Sequence, residues 1–250
     1  MTHIYIGCDK IFGSRDAYFS QLGALEVLET YDARLTDNRL DDWRTRSPRG
    51  FAFTMQALRG VTHPIDNDED LPAILKDQDL GAFGLLRDTE AVRAAWAATL
   101  AMAEHLGPKV IVMETPRDFS PARRHREQLE WFAAELAPQW RGDVAWKPHG
   151  LWEPEEAIGL CQRLNLIPIF DPFEKLEVRL KGRSAYFRLF DRRGLRNRFD
   201  DFDMEELLDL CEGYQRAFII FKGAHRYRDA RLCQTILDSR RAEEAEEADA

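Results

Sequence analysis

The sequence predicts a single α/β domain, an eight-stranded parallel (β/α)8 barrel, and three observations carry that expectation. Short apolar runs of strand length alternate along the chain with stretches of helical periodicity. Several of those runs are apolar on both faces, as the strands of a parallel sheet covered by helices must be. The length, 250 residues, matches one eight-fold barrel and is enough to bury a large core. Seven clear runs and one ambiguous segment make eight strands, which favours a closed barrel over an open doubly wound sheet.

Taken in order, Ile4–Cys8 is the first strand. Gly23–Tyr31 is the ambiguous segment, because Leu25, Val27, Leu28 and Tyr31 are spaced slightly better for a helix than for a strand. Phe51–Ala57 is the third strand. Thr89–Leu106 is a helix opened by a Thr cap and stopped by Gly107-Pro108. Strands at Lys109–Thr115, Asp143–Pro148 and Leu166–Pro172 alternate with helices at Pro121–Leu136 and Pro154–Leu164. The Glu174–Ser184 link is too short and too charged for a good sixth helix, the one defect in the pattern. Strand Ala185–Phe190, helix Met204–Cys211, strand Ala217–Lys222 and helix Arg228–Leu237 complete the set. No repeat or Pro/Gly/Ser-rich linker divides the chain, so residues 1–240 form the barrel and residues 241–250 an acidic end, read as a frayed helix or tail.

Composition narrows the function classes. The net charge is −9, but residues 242–250 carry five acids and no base, which leaves −4 on the first 241 residues. A body this close to neutral argues against nucleic-acid binding. No stretch approaches the ~20 apolar residues of a membrane span, and Met1-Thr2-His3 leads straight into Ile4-Tyr5-Ile6 without a signal-like run. Cys8, Cys161, Cys211 and Cys233 are scattered with no CxxC pair, as expected for reduced core thiols in a cytoplasmic protein.

In such a barrel, functional groups project from the C-terminal ends of the strands, and period-two alternation names them. Ala52, Thr54 and Gln56 share a face, as do Val110, Val112 and Glu114; Ala145 aligns with Lys147. Ile167, Ile169 and Asp171 share another, followed by Tyr186, Arg188 and Phe190, and then Phe218, Ile220 and Lys222. Ionisable residues thus recur at the ends of otherwise apolar inward faces, and buried charges are costly unless paired or functional. In the functional reading, Glu114, Lys147 and Asp171 carry acid–base chemistry or a Lys147 Schiff base, while Arg188 and Lys222 hold a small anionic metabolite. The plain alternative is a satisfied salt-bridge cluster plugging the barrel mouth.

Other signals are weaker. Arg192, Arg193, Arg196 and Arg198 after the seventh strand, and Lys222, Gly223, Arg226 and Arg228 after the eighth, occupy the loops where barrels often hold phosphate. Asp191, Asp200, Asp201 and Asp229 lie among them, so a solvated ion-pair surface is favoured. His63, His149 and His225 lie on three loops without HxH or HExxH spacing, and no metal is assigned. Trp146 and Trp152 flank His149 and suit either ring stacking or core packing. No GxGxxG, Walker A or GxSxG pattern is present, and neither a cofactor nor an oligomeric state can be read.

An ordered series of short motifs resembles the YecE-like family, the family of domain of unknown function seventy-two. The motifs are Tyr5-Ile6-Gly7-Cys8, Thr62-His63-Pro64, Thr115-Pro116-Arg117-Asp118-Phe119, Trp146-Lys147-Pro148-His149-Gly150, Asp171-Pro172-Phe173, Tyr186-Phe187-Arg188-Leu189 and Asp229-Ala230-Arg231. The resemblance spans about residues 4–237. The resemblance implies a TIM-barrel-like fold and makes Leu25–Tyr31, with Glu26, the second strand. It supplies no substrate.

The chain departs from the family pattern at inward strand ends. The resemblance implies Lys-Ala where Gln56-Ala57 stands, Gln at Glu114, and Trp-Glu-Pro-Arg where Lys147 and His149 stand. It further implies His-Gly at Phe190-Asp191 and Asn-Asn at Lys222-Gly223. Glu26, His63, Asp171 and Arg188 match. Glu26, Tyr31, Gln56, His63, His149, Arg188 and Lys222 are therefore the candidate binding residues around Glu114, Lys147 and Asp171. Two functions are expected to compete: an acid–base enzyme on a small anionic substrate, and a catalytically inactive barrel that binds a ligand or protein; nucleic-acid processing on the Arg192–Arg198 loop is a third, weaker reading.

Overall fold

A computed structural model describes residues 2–67, 69, 71–173, 182–191 and 198–248. Eight parallel strands close into a barrel in sequence order, with β1 (His3–Cys8) hydrogen-bonded to both β2 (Ala24–Val27) and β8 (Arg216–Phe221). Between them run β3 (Ala52–Gln56), β4 (Val110–Glu114), β5 (Asp143–Lys147), β6 (Ile167–Phe170) and β7 (Ser184–Leu189). The helices are α1 (Arg15–Gln21), α2 (Asp37–Arg46), α3 (Arg59–Thr62), α4 (Glu90–Leu106), α5 (Arg123–Glu135), α6 (Pro154–Arg163), α7 (Asp201–Asp209) and α8 (Arg226–Ala248). The expectation of a poor sixth helix over Glu174–Ser184 falls mainly on residues 174–181, outside the described residues.

Two cores follow from strand alternation. Outward side chains such as Leu25, Val27, Phe53, Met55, Ile111 and Met113 pack against the helices. Inward ones (Ala24, Ala52, Val110, Val112, Ala145, Ile167, Ile169, Tyr186, Phe218 and Ile220) fill the barrel, small residues facing large ones. Tyr186 and Tyr5 stack on Phe218, with ring centroids 5.8 and 5.2 Å away. The inward sets expected for β3, β4, β7 and β8 are those found, apart from Phe190. That residue lies past the end of β7, half exposed.

The ambiguous second segment is a strand of only four residues, all buried, with Ala24 and Glu26 inward and Leu25 and Val27 outward. Its helix-like spacing arose because Leu28 and Tyr31 belong to the following turn. There the Thr30 hydroxyl donates to the Gln56 carbonyl at 2.7 Å. The β1–β2 ladder is correspondingly short, and Tyr18 of α1 completes it. Its hydroxyl accepts from Cys8 N and donates to Ala24 O, each at 2.8 Å.

Helices α1 and α2 were not read from the sequence. The first is a seven-residue helix capped by the Ser14 side chain. The second buries only Leu40 and Trp43 in a charged sequence, too little to give a periodic signal. Helix α4 begins and ends where expected, on the Thr89 cap and left-handed Gly107. Helix α8 runs past the expected Leu237 through the acidic segment to Ala248.

Gly7 sits where β1 presses on β2: a Cβ there would lie 2.0 Å from the Ala24 carbonyl oxygen. A backbone atom cannot swing aside as a flexible side chain does. Gly7→Ala is therefore expected to destabilise the barrel by at least about 2 kcal/mol in denaturant unfolding; a wild-type midpoint would refute this packing.

Candidate functional site

The site is built on Arg188, which β7 projects into the barrel interior, where it is 2 % exposed. Nη2 donates to both oxygens of Glu26 on β2, at 2.8 and 2.9 Å, and Nη1 to Glu114 Oε1 on β4 at 2.5 Å. Nε is buried with no hydrogen-bond partner among the described residues, so the terminal nitrogens alone hold the guanidinium. Gln56 on β3 donates from its amide nitrogen to Glu26 at 3.0 Å and Glu114 at 2.9 Å. Both neighbours are acceptors only, which fixes the orientation of that amide.

Below this layer, Tyr186 OH donates to Glu26 Oε2 at 2.5 Å and lies 2.9 Å from the Thr54 hydroxyl, which can therefore donate to it. Above it stands Lys222, just past β8, with Nζ 3.8 Å from Glu26 and 3.7 Å from Asp9. Arg226 Nη1, in the first turn of α8, pairs with Asp9 at 2.6 Å. This network joins three carboxylates (Asp9, Glu26, Glu114) to three cations (Arg188, Lys222, Arg226), so its charges balance.

Burial raises the proton affinity of Glu26 and Glu114, but the cations and donors overcome it. Arg188 and Lys222, with the Tyr186 hydrogen bond, hold Glu26 below the ordinary carboxylate range. The His149 hydrogen bond, Arg188 and Lys222 hold Glu114 well below it. Burial opposes the charge on Arg188, yet Glu26 and Glu114 raise its pKa further. Both glutamates are thus locked as carboxylates.

The barrel mouth opens above the network as a cleft of about 330 Å³ lined by Leu28, Tyr31, Asp32, Gln56, His63, Glu114, His149 and Lys222. His149 Nε2 lies 3.1 Å from Glu114 Oε2. His63 packs edge-on against Tyr31 at 5.5 Å, and its Nδ1 is 2.9 Å from the Thr62 hydroxyl. Burial and Arg59 lower the His63 pKa, so its ring is neutral near pH 7.

Of the ten residues singled out in the sequence, Glu26, Tyr31, Gln56, His63, Glu114, His149, Arg188 and Lys222 come together here. Lys147 and Asp171 stand at the ends of β5 and after β6, half buried and outside the lining of the cleft. Lys147 is in register with Glu114, and Asp171 Oδ1 accepts from Phe173 N at 3.0 Å; neither is a free charge. Asp9 was missed, although continuing the first strand's alternation through Tyr5 and Gly7 points to it. Arg226 was read only as a loop cation, and Tyr186 only as a barrel-filling residue.

The other candidates resolve differently. Trp146 and Trp152 pack edge-to-face at 5.0 Å in the core, donating to Thr115 Oγ1 and Phe119 O. Among the described residues, no three His, Cys, Asp or Glu side chains gather to hold a metal. Residues 192–197 of the arginine loop lie outside the described residues.

Replacing Arg188 strands two buried carboxylates. Arg188→Met is expected to cost about 3–5 kcal/mol in urea unfolding at pH 7; a loss under about 1 kcal/mol would contradict the account. The sign with pH follows from the depressed carboxylates. Their stabilisation is fully present above the unfolded glutamate pKa of about 4.3 and is lost as pH falls through the lower folded values. Glu114→Gln is expected to flatten the wild type's loss of stability below about pH 4.

Comparison with known proteins fits this architecture. Nothing among curated proteins matches. A DUF72 family protein from Enterococcus faecalis V583 superposes with a TM-score of 0.69 at 12% identity, covering 95% of this chain and 98% of that one. A DUF72 family protein from Thermotoga maritima MSB8 gives 0.63 at 16%, over 94% and 99%. A xylose isomerase domain containing protein from Salmonella typhimurium LT2 gives 0.55 at 11%, over 95% of each chain. At such identities these likenesses concern the fold alone. The family model described as "Protein of unknown function DUF72" matches residues 14–249, nearly the whole chain, and the protein belongs to that family, the one also called YecE-like.

Proposed function

We propose that the cleft binds a small anionic metabolite and that His149, aligned by Glu114, exchanges a proton with it. The observation that carries this reading is the position of Lys222. Lys222 lines the cleft, and its ammonium stands 3.7 and 3.8 Å from its two carboxylates, beyond hydrogen-bond reach. Among the described residues it makes no shorter polar contact, so a ligand oxygen there gains a charge-assisted hydrogen bond. Glu114 can only accept from His149, which puts a proton on Nε2 and leaves Nδ1 with a lone pair in the neutral ring. A histidine oriented by a carboxylate is a suitable general base. Lys147 and Asp171, at neighbouring strand ends, are the companion candidates for the chemistry.

A non-catalytic binding barrel is the second reading, supported by the lowered proton affinity of Glu26 and Glu114, which suits neither to act as a general acid. Four unpaired, buried cysteines support placing either version in the cytoplasm. Among the described residues, no helix is long and apolar enough to cross a membrane.

Calorimetric titration with a panel of small carboxylates and phosphates separates the readings. Lys222→Met is expected to abolish saturable binding while keeping the wild-type circular dichroism; unchanged affinity would sink the proposal. For any ligand that binds, His149→Gln is expected to slow turnover or deuterium exchange from solvent by roughly 100-fold or more. Binding without turnover or exchange in the wild type would favour the second reading. Full turnover in both Lys147→Met and Asp171→Asn would remove those residues from the chemistry.

A further inference from the structure

The ligand class can be narrowed, and the narrowing rests on the anion-binding reading above. We infer that the cleft takes a small monocarboxylate carrying hydroxyl or carbonyl oxygens, and that it discriminates against phosphoryl compounds.

Charge balance is the first argument. The cleft offers one ammonium, Lys222, already shared between Asp9 and Glu26, while Glu114 and Asp32 also line it. With three carboxylates balanced by three cations in the network, a monoanion adds a single negative charge beside Lys222. A phosphate dianion adds two, facing Glu114 and Asp32 with no second uncommitted cation among the described lining residues.

The uncharged lining is the second argument. The Tyr31 hydroxyl, the His63 ring and the Gln56 amide are neutral hydrogen-bonding groups, suited to hydroxyl or carbonyl oxygens. Because the Gln56 nitrogen is committed to Glu26 and Glu114, its carbonyl oxygen is the end that accepts from a ligand. Leu28 supplies an apolar wall. At about 330 Å³ the cleft lies near the small end of the range of ligand pockets, about 300–1,000 Å³.

The third argument is independent of the cleft. Eight-fold barrels that hold phosphate commonly do so at the loops after the seventh and eighth strands, on backbone N–H groups at a helix start. Here Asp191, just after β7, fills that place with its own carboxylate. Its Oδ2 accepts from Ala224 N at 2.7 Å and its Oδ1 from His225 N at 3.2 Å, immediately before α8. Gly223 makes room for it: a Cβ at that position, where φ is +107°, would lie 2.5 Å from the Asp191 carboxylate. An internal anion thus occupies the position a phosphoryl group would use.

The test is calorimetric titration of the full chain at pH 7.5 with matched probes: glycolate and glycerate against phosphoglycolate, phosphoglycerate and inorganic phosphate. The inference predicts that the simple hydroxy acids bind, that the phosphorylated probes bind at least about tenfold more weakly, and that Lys222→Met abolishes hydroxy-acid binding. Phosphorylated probes that bind as tightly or more tightly, with Lys222-dependence, would overturn the inference and leave the anion-binding reading standing. No binding by either class would overturn both. Asp191→Ser is expected to gain inorganic phosphate affinity over the wild type; unchanged affinity in the folded variant would overturn the role given to Asp191.

Discussion

Arg188 is the residue around which the upper half of the barrel is organised. A guanidinium 2 % exposed inside a barrel is tolerable only because two carboxylates reach it from across the interior. Those carboxylates are tolerable in turn because Gln56, Tyr186, Lys222 and His149 occupy their remaining lone pairs or lie close in charge. The donor geometry matters as much as the charge, since one planar group spans β7, β2 and β4 at once. The short strand β2 is held in register partly by this contact, because Glu26 is its inward residue at the level of the cleft. Stability and site geometry therefore depend on the same side chain.

That coupling explains how the inward charges are distributed. The family resemblance implies a lysine at position 56 and a glutamine at position 114; in this chain position 56 stands between Glu26 and Glu114. Here Gln56 bridges them as a neutral donor, and the ammonium comes instead from Lys222 on the other side of the barrel. The exchange moves the accessible cation to the rim. Glu114, His149 and Lys222 then form a ligand-facing layer, while Glu26, Tyr186 and Thr54 form a buried supporting layer. Asp9 and Arg226 extend the support outward and anchor Lys222 through the start of α8.

Much of this was legible in the sequence, for a definite physical reason. Strand alternation is fixed by the pleat, so once β3, β4, β7 and β8 were recognised, Gln56, Glu114, Arg188 and Lys222 had to face inward together. The second strand was less legible because four residues are too few to show a period. Its turn residues Leu28 and Tyr31 imitate a helical one, and only family resemblance identified the segment as a strand. Helices α1 and α2 escaped because capping and tertiary contact, not an apolar stripe, define them. Which charges pair was not legible at all. Lys147 ends β5 and Asp171 follows β6, yet the cleft is lined by Glu114, His149 and Lys222 without them. Asp9 continues the inward alternation of β1, but its pairing with Lys222 and Arg226 is a contact that only the folded barrel reveals.

The account depends on the two buried glutamates being fixed anions that support the site and do not themselves shuttle protons. The most direct test is a carbon-13 NMR titration of the glutamate side-chain carboxyls, assigned with Glu26→Gln and Glu114→Gln. The account predicts that both resonances stay in the ionised position through the ordinary glutamate range near pH 4 and move only in more acid solution, if the fold persists. A carboxyl of either residue that takes up its proton at or above the ordinary range, in the folded protein, would contradict it.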